Sequence, residues 1–312
     1  MHPNSSPDAP LVSVIITTYK GADTIVKAVS SILEQTWQHT EVIVVDDNGF
    51  DTPAQKQTRD ALSALSDARI VYLPHKQNSN GAVARNTGIS AARGQYIGFL
   101  DDDDLYLPER ISRSVGFLQE HPRLAGLCVA VEVHYSAQHV VTVPMHKPIT
   151  AERMLVDEMS IGTGSNLFFQ RRIFDDGLRF DIAFRRHQDL EFMLCVLRKY
   201  RIGNLDTVLV VKKSNSNSNI PNYQNFRAAK MMYLNKFQPE IAALSSAQRQ
   251  MFYKTHFRLL LDIAEQEGKP QNIRTAYKDC VRHRVFYIGD MITLVLGRSR
   301  YQALKNKLTG KR

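Results

Sequence analysis

In the first hundred residues, short apolar runs alternate with longer stretches in which apolar side chains recur every three or four positions. The short runs are rich in β-branched residues, which is typical of buried strands. They occupy residues 11–17, 41–45, 69–73 and 96–100. The longer stretches have the period of amphipathic helices. They occupy residues 22–35, 53–65 and 82–92. This alternation predicts an α/β, Rossmann-like domain with a mostly parallel sheet flanked by helices on both faces.

The pattern becomes less regular after residue 108. Further helices are predicted at residues 108–119 and 190–199, and further strands at residues 124–133, 140–143 and 205–211. A polar repeat, SNSNSN at residues 214–219, marks the clearest boundary in the chain. Apolar positions beyond it follow the helical period throughout. We therefore predict two domains, an α/β domain over residues 1–215 and a helical appendage over residues 216–312.

Composition excludes several classes of protein. The 312 residues are 43% hydrophobic and 23% charged, as in globular proteins. The three cysteines lack the spacing of a zinc site or a disulfide framework, which favours a reducing compartment. Residues 1–10 lack the apolar core of a signal peptide, and no apolar run reaches the roughly 18 residues of a membrane-spanning helix. We therefore expect a cytoplasmic protein.

The net charge of +9 is concentrated near the C-terminus. Residues 1–220 carry −2 and residues 221–312 carry +11. An apolar segment at residues 286–296 leads into a tail that holds six cations between residues 291 and 312 and no acid after residue 290. This end of the chain could lie on an anionic membrane surface, or it could be a buried helix with a basic end. We expect no nucleic-acid partner, because recognised binding motifs are missing from the sequence.

Acidic residues follow two of the predicted strands. Asp101 to Asp104 come directly after residues 96–100, and Asp46-Asp47-Asn48 follow residues 41–45. Ligands of open α/β sheets bind at the carboxyl ends of the strands. Asp101 and Asp103 would project to the same side, where their oxygens could hold Mg²⁺ or Mn²⁺. A solvated acidic turn is the alternative.

Two of these positions have two interpretations each. A carboxylate of the group Asp46-Asp47-Asn48 could accept the N3–H of a uracil or thymine base, or the group could form an Asx turn that ends the strand. Arg85 could approach a base or phosphate from its helix, or it could face solvent. Asp189 is an acid at the start of the apolar helix that begins near residue 190, where it could serve as the cap.

The order of these motifs resembles the family 2 glycosyltransferases of GT-A fold. The resemblance extends over roughly residues 11–211. It is carried by VSVIITTYKGADTIVKAVSSILEQTW, EVIVVDDN, NGAVARNTGISAARGQYIGFLDDDDLYLPERI and FRRHQDLEF. A lone DxD is a weak signal, whereas these strings in this order are a specific one.

The resemblance implies roles for residues at the matching positions. The residues that would bind the nucleotide are Thr17, Tyr19, Asp47, Arg85 and Asp102. Asp101 and Asp103 match the DxD motif that holds the metal, Mn²⁺ or Mg²⁺, and the donor diphosphate.

The resemblance also implies that Asp189 is the catalytic base. The family usually has a Glu-Asp pair here, and Gln188 replaces the Glu, so the role of that carboxylate is lost or moved to Glu191. Further residues could contact the donor or acceptor, although a structural histidine and an ordinary linker explain some of them as well. They are Asp104, His187, Gln188, Lys212 and Lys213.

The resulting expectation is a metal-dependent, inverting transfer of a sugar from a UDP-sugar to a glycan or glycolipid acceptor. Such an enzyme would serve cell-surface polysaccharide or lipopolysaccharide synthesis, in the cytoplasm or on the inner face of the cell membrane. A non-catalytic subunit that binds sugar nucleotides is one alternative, which Gln188 favours. A nucleotidyltransferase is the other, although residues 17–22 lack the glycine-rich basic loop that it would need.

Overall fold

The computed structural model describes residues 9–136, 138–156, 160–213 and 222–285. The chain divides into an N-terminal unit, residues 1–220, and a C-terminal unit, residues 221–312. The sequence placed this boundary at residue 215, in the polar repeat, which lies outside the described residues. The apolar and basic segment from residue 286 onward, considered above for membrane binding, also lies outside them.

Four parallel strands form the first half of the sheet in the order β3-β2-β1-β4. Their bounds are β1 Val12–Thr18, β2 Thr40–Asp46, β3 Ile70–Pro74 and β4 Tyr96–Asp101. The register sets Thr17 beside Val45 on one neighbour and beside Asp101 on the other. Since the strands are parallel and in register, their carboxyl ends lie along one edge of the sheet.

The second half of the sheet continues from β4 in the order β8-β6-β9-β5, with β7 paired to β6. These strands are β5 Leu105–Tyr106, β6 Gly126–Ser136, β7 His139–Val143, β8 Phe168–Gln170 and β9 Ile202–Lys213. The β6 and β9 strands are parallel to each other, whereas β8 is antiparallel to both β4 and β6. Strand β9 therefore brings Lys212 and Lys213 towards the turn that follows β4.

Five helices of this unit lie where the apolar spacing predicted them. They are α1 Ile25–Leu33, α2 Pro53–Ser63, α3 Gly81–Ala91, α4 Arg110–Glu120 and α7 Gln188–Leu197. Two short helices, α5 Ala151–Leu155 and α6 Arg172–Asp175, were not predicted. The buried face of α1 consists of Ile25, Ala28, Val29 and Ile32. Strands β1 and β2 are buried along almost their whole length. The predicted fold class, an α/β sheet of GT-A type with a helical C-terminal region, is confirmed.

The C-terminal unit is a group of helices with its own core. The helices are α8 Tyr223–Lys236, α9 Gln238–Ala243, α10 Ser246–Glu267 and α11 Pro270–Arg282. Phe257, Leu260 and Tyr277 lie in the apolar cluster between them. A capping box at Ser245 begins α10, and Gly268 ends it in the left-handed conformation. None of the helices that the structure describes combines the length and the apolar character needed to cross a bilayer.

A buried carboxylate joins the amino ends of β1 and β2. Glu41 accepts a hydrogen bond of 2.6 Å from the Ser13 hydroxyl, and the backbone N–H and guanidinium of Arg93 donate to the same carboxylate at 2.7 to 2.9 Å. Burial by itself would raise the pKa of Glu41. The bonds from Ser13 and Arg93 outweigh that effect and lower the pKa.

Replacing Glu41 with Gln should lower the free energy of unfolding by about 2 kcal/mol at neutral pH, because charge-assisted hydrogen bonds are lost in a buried site. The lowered pKa means that the carboxylate stabilises the fold above its ordinary pKa and loses this effect as the pH falls through the folded-state value. The difference between wild type and E41Q in urea unfolding should therefore shrink in acid. Glu120→Gln, at an exposed position, is the control, and equal destabilisation by both variants would contradict the prediction.

Candidate active site

The acidic run follows β4 at the carboxyl edge of the sheet. Asp101 is the last residue of the strand, and Asp102 to Asp104 form the turn before β5. Asp102 and Asp103 are half-buried, and Asp104 is buried. These carboxylates therefore lie side by side in a place where solvent cannot fully screen their charges.

Asp104 is a buried carboxylate that links the end of β4 to two other segments of the chain. Its carboxylate accepts hydrogen bonds from the hydroxyls of Thr163 at 2.9 Å and Ser165 at 2.6 Å, and from the Lys213 backbone N–H at 3.2 Å. The Asp101 N–H in turn donates to the Ser165 hydroxyl. These bonds give Asp104 a structural role. Its contact with the donor or acceptor stays a prediction.

Burial is the main cause that raises the pKa of Asp102 to about 6, and the charges of Asp103 and Asp101 add to it. The loop after β1 lies directly against this carboxylate. A Cβ atom on Gly21 would come within 1.9 Å of an Asp102 carboxylate oxygen. Only glycine can therefore occupy position 21 without displacing Asp102.

Burial and the Asp101 charge also raise the pKa of Asp103, while Lys212 and Lys213 act in the opposite direction. Both lysines belong to the end of β9, 108 or more positions further along the chain. The structure thus brings the two predicted basic residues to the acidic run. Their charge offsets part of the repulsion among the carboxylates.

Arg85 spans the gap between the acidic run and α7. One guanidinium nitrogen donates to an Asp101 carboxylate oxygen at 2.7 Å, and another donates to the Gln188 side-chain oxygen at 2.8 Å. The Phe180 ring lies 5.6 Å from the guanidinium carbon. The side chain is 13% exposed, which excludes the interpretation that Arg85 faces solvent.

Gln188 is held in one orientation by two partners. Its amide nitrogen donates to the Phe184 carbonyl at 2.7 Å while its oxygen accepts from Arg85. A glutamate at this position could accept from Arg85 but could not donate to Phe184.

Glu191, the other carboxylate considered for the missing role, is buried and accepts from the Cys195 thiol and the Asp181 N–H. Glu191 therefore has a structural role in the packing of α7.

Asp189 lies in the first turn of α7 and lines a cavity of about 280 Å³. The other lining residues are Arg85, Asp101, Gly164, Arg185, Arg186, His187, Gln188 and Lys212. His187, in the left-handed conformation, is the N-cap residue of the helix, so Asp189 does not have the capping role that was its alternative.

Asp47 has a different environment from the predicted one. It is buried, and its two oxygens accept from His75 Nδ1, the Asn78 side chain and the N–H groups of Ser79 and Asn80, at 2.8 to 3.0 Å. A carboxylate offers about four acceptor positions. The four donors use about that number of positions, so Asp47 fixes the loop that leads into α3. Its contact with the base stays a prediction.

That loop determines where Arg85 lies. Asn80 accepts hydrogen bonds from the N–H groups of Ala82 and Val83 and so caps α3. The asparagine before Gly81 was the one local signal for this cap.

Asp46 closes an Asx turn with the Asn48 N–H, the arrangement that was the alternative for this acidic pair. Its other oxygen accepts from Tyr72, whose pKa is raised by burial and by this bond.

Tyr19 follows β1 directly, at the carboxyl edge of the sheet. Its side chain is 52% exposed at the end of β1, and the next residue, Lys20, has a left-handed backbone. The Lys20 N–H donates to the Asn48 side chain at 2.8 Å. Thr17 is half-buried beneath this loop. An exposed ring on a fixed loop can stack on a nucleobase.

The arrangement suits a divalent cation that a substrate helps to bind. Within the described ranges, no three His, Cys, Asp or Glu side chains are grouped to hold a metal. Mg²⁺ usually keeps several waters and takes one or two carboxylates together with substrate phosphates. Asp101 and Asp103 offer such a pair. A cation there would also offset the Asp101 charge, which adds to burial in raising the pKa of Asp103.

Comparisons with known proteins agree with this geometry. Residues 13–178, more than half of the chain, match the family described as Glycosyl transferase family 2. The matched range includes the acidic run and Arg85. Asp189 lies beyond its end.

Two curated relatives give a similar result. The UDP-Glc:alpha-D-GlcNAc-diphosphoundecaprenol beta-1,3-glucosyltransferase WfaP of Escherichia coli is 37% identical over 109 residues, 35% of this chain and 41% of that protein. The succinoglycan biosynthesis protein ExoO of Rhizobium meliloti is 31% identical over 207 residues, 61% of this chain and 56% of that protein. The matches thus span about half the length of these relatives.

A solved structure resembles the fold over nearly the whole chain. It is S. aureus TarS 1–349 in complex with UDP-GlcNAc, with a TM-score of 0.65 over 96% of this chain and 92% of that one. The two sequences are 17% identical, so the likeness concerns the fold. The match over residues 13–178 shows that the chain belongs to glycosyl transferase family 2.

Proposed function

We propose that the protein is a metal-dependent, inverting glycosyltransferase that moves a sugar from a UDP-linked donor to a glycan or lipid-linked acceptor. One observation carries the proposal: the Asp189 carboxylate lines the same cavity as Asp101 and Arg85 at the carboxyl edge of the sheet. A candidate base and the basic side chains of Arg85 and Lys212 therefore line one cavity.

Asp189 is the proposed base. An acceptor hydroxyl is a weak nucleophile until its proton is removed, and a positioned carboxylate contributes a rate factor of about 10² to 10⁴ in such a step. The hydroxyl oxygen then bonds to the anomeric carbon as the bond to the diphosphate oxygen breaks on the opposite side. A single displacement inverts the configuration at that carbon.

The leaving diphosphate needs positive charge. Arg85 and Lys212 line the cavity, and preorganised cations of this kind stabilise charge that develops in a transition state. A divalent ion held by Asp103 and Asp101 would act as a Lewis acid on the departing phosphate oxygens. Asp104, through Ser165, holds the backbone of Asp101 in place for this task.

The names of two similar proteins support UDP as the carrier. WfaP is named for a UDP-Glc donor and a diphosphoundecaprenol acceptor, and TarS was solved with UDP-GlcNAc. Because Asp47 is occupied by the loop at residues 75–80, we assign base binding mainly to stacking on Tyr19. A lipid-linked acceptor would place the protein at the inner face of the cell membrane.

The structure bears on the alternative of a non-catalytic subunit. Gln188 was the feature that favoured it, since the family usually has an acid there. The amide has a definite use here, as it holds Arg85 without neutralising its charge. We therefore interpret Gln188 as a residue that positions Arg85 in an active enzyme.

Asp189→Asn should reduce turnover by about 10² to 10⁴ and leave donor binding nearly unchanged, because the amide cannot accept the acceptor proton. Sugar transfer at saturating donor and calorimetric binding of UDP would be measured on the same preparation. Asp60→Asn, on an exposed part of α2, is the control. Transfer at the wild-type rate by D189N would exclude the assigned role.

UDP should bind more tightly with Mn²⁺ than without it, and Asp103→Asn should remove most of the difference, because the ion loses a carboxylate ligand. Calorimetry with UDP, GDP and CDP, each with and without Mn²⁺, tests both the metal and the base. Equal UDP affinity of wild type and D103N in Mn²⁺ would remove Asp103 from the proposed metal site.

Gln188→Glu should weaken UDP binding by about tenfold, because a carboxylate beside Arg85 competes with the donor for its charge. It would also face the Phe184 carbonyl, to which it cannot donate. Gln188→Ala, which frees Arg85 without adding charge, should have a smaller effect on binding. The KM for the donor should rise in Q188E with a smaller change in kcat. If Q188E bound UDP as tightly as wild type, the positioning role would be wrong.

A further inference from the structure

The C-terminal unit contains two adjoining cavities of about 510 and 370 Å³. Both are lined by Arg249, Tyr253, Arg282 and His283. The other residues of the larger cavity are Met231, Leu234, Asn235, Gln238, Ile241 and Ala242. The smaller one adds Ser246, Gln250 and Arg284. The four shared residues make the two cavities a single cleft.

The larger cavity is apolar on the side formed by α8 and α9. Met231 and Leu234 are half-buried and pack against the core of the unit, and Ile241 is buried. Apolar side chains that line an open cavity have surface left to bury. This part of the cleft is suited to a hydrocarbon.

Three arginine side chains line the side of the cleft formed by α10 and the end of α11. Arg249 is half-buried, and Arg282 and Arg284 are exposed. In the described part of the chain, none of these three arginines forms an ion pair with a carboxylate. Asp279, one turn before His283, is held by Arg227 at 2.7 and 3.1 Å. The arginines therefore retain their charge for a ligand.

An aromatic group lies at the junction of the two parts. The His283 ring stacks on Phe257, with centroids 4.1 Å apart, and its centroid is 4.6 Å from that of Tyr253. Burial lowers the pKa of His283, the Asp279 charge acts in the opposite direction, and Arg282 adds to the lowering. The aromatic group thus lies between the apolar side and the arginines.

We propose that this cleft binds an amphiphile that carries a phosphate or diphosphate on a hydrocarbon chain. The anionic group would lie between Arg249, Arg282 and Arg284, and the first carbons of the chain would lie against Met231, Leu234 and Ile241. A guanidinium group can donate two parallel hydrogen bonds to the oxygens of one phosphate group. A free anion would gain nothing from the apolar side, and a neutral lipid would gain nothing from the arginines. A ligand with both an anionic group and a hydrocarbon chain would contact both sides of the cleft.

The inference rests on the proposed function in one respect: a glycosyltransferase with a lipid-linked acceptor needs a place for the phosphorylated lipid. The binding itself is independent of catalysis. An amphiphile could bind this cleft in a protein that transfers no sugar, and the transfer experiments above could succeed with this cleft unused. The two proposals can therefore fail separately.

Calorimetry of the full chain with farnesyl diphosphate and inorganic pyrophosphate tests the proposal, with excess UDP and Mn²⁺ present to occupy the other site. Farnesyl diphosphate should bind at least about tenfold more tightly than pyrophosphate, because only it buries a hydrocarbon chain. Arg282→Gln should weaken its binding by about tenfold. Arg274→Gln, at an exposed position earlier on α11 that does not line the cleft, is the matched control and should have no such effect.

A second pair of variants tests the apolar side. Met231→Gln should weaken farnesyl diphosphate binding and leave pyrophosphate binding unchanged, whereas Met232→Gln, at the exposed neighbouring position, should change neither. The thermal unfolding midpoint of each variant checks that it folds. Equal binding of the two ligands, or equal effects of R282Q and R274Q, would overturn the proposal. Absence of binding to the folded wild-type chain would overturn it too and would make residues 286–312 or a second copy the occupant to test.

Discussion

Repulsion among the carboxylates that follow β4 is the constraint on which the rest of the N-terminal unit depends. Four adjacent acids at a sheet edge would separate or take up protons unless the fold supplied positive charge and hydrogen-bond donors. It supplies them from distant parts of the chain. Arg85 arrives from α3, Lys212 and Lys213 from β9, and Ser165 from the turn before β8. Each of these elements is therefore fixed relative to the proposed donor site.

Two buried carboxylates, Asp104 and Asp47, hold these segments to the sheet. Asp104 ties β4 to the loop at residues 163–165 and to β9. Asp47 ties the end of β2 to the loop that begins α3. In both cases the carboxylate oxygens accept hydrogen bonds from donors inside the protein, as buried charges require. Asp101 and Asp103, the proposed metal ligands, are supported by these two carboxylates.

The helical unit has a different electrostatic character. Its described residues show few acids near the cleft, and its three arginines there form no ion pair with a carboxylate, whereas Arg85 in the N-terminal unit donates to Asp101 and Gln188. In the proposed active site the charges are thus held in place in advance. In the proposed lipid cleft, apolar surface lies beside cations. A transferase that draws a soluble donor and a lipid-linked acceptor together would use both.

The sequence by itself determined the elements and the family. Hydrophobic periodicity is a local property, so it placed the parallel strands and their helices, and the motif strings pointed to family 2 from their order alone. It also identified the residues at the carboxyl edge, since strand ends are readable from the pattern. Only the tertiary structure decided which of those residues could meet a ligand. Asp47 and Asp104 looked available, yet each is surrounded by donors from segments about 30 to 110 positions away. The pairing of Arg85 with Gln188 spans 103 positions, and no local pattern encodes a contact of that kind, because it exists only once the sheet and α7 have packed together.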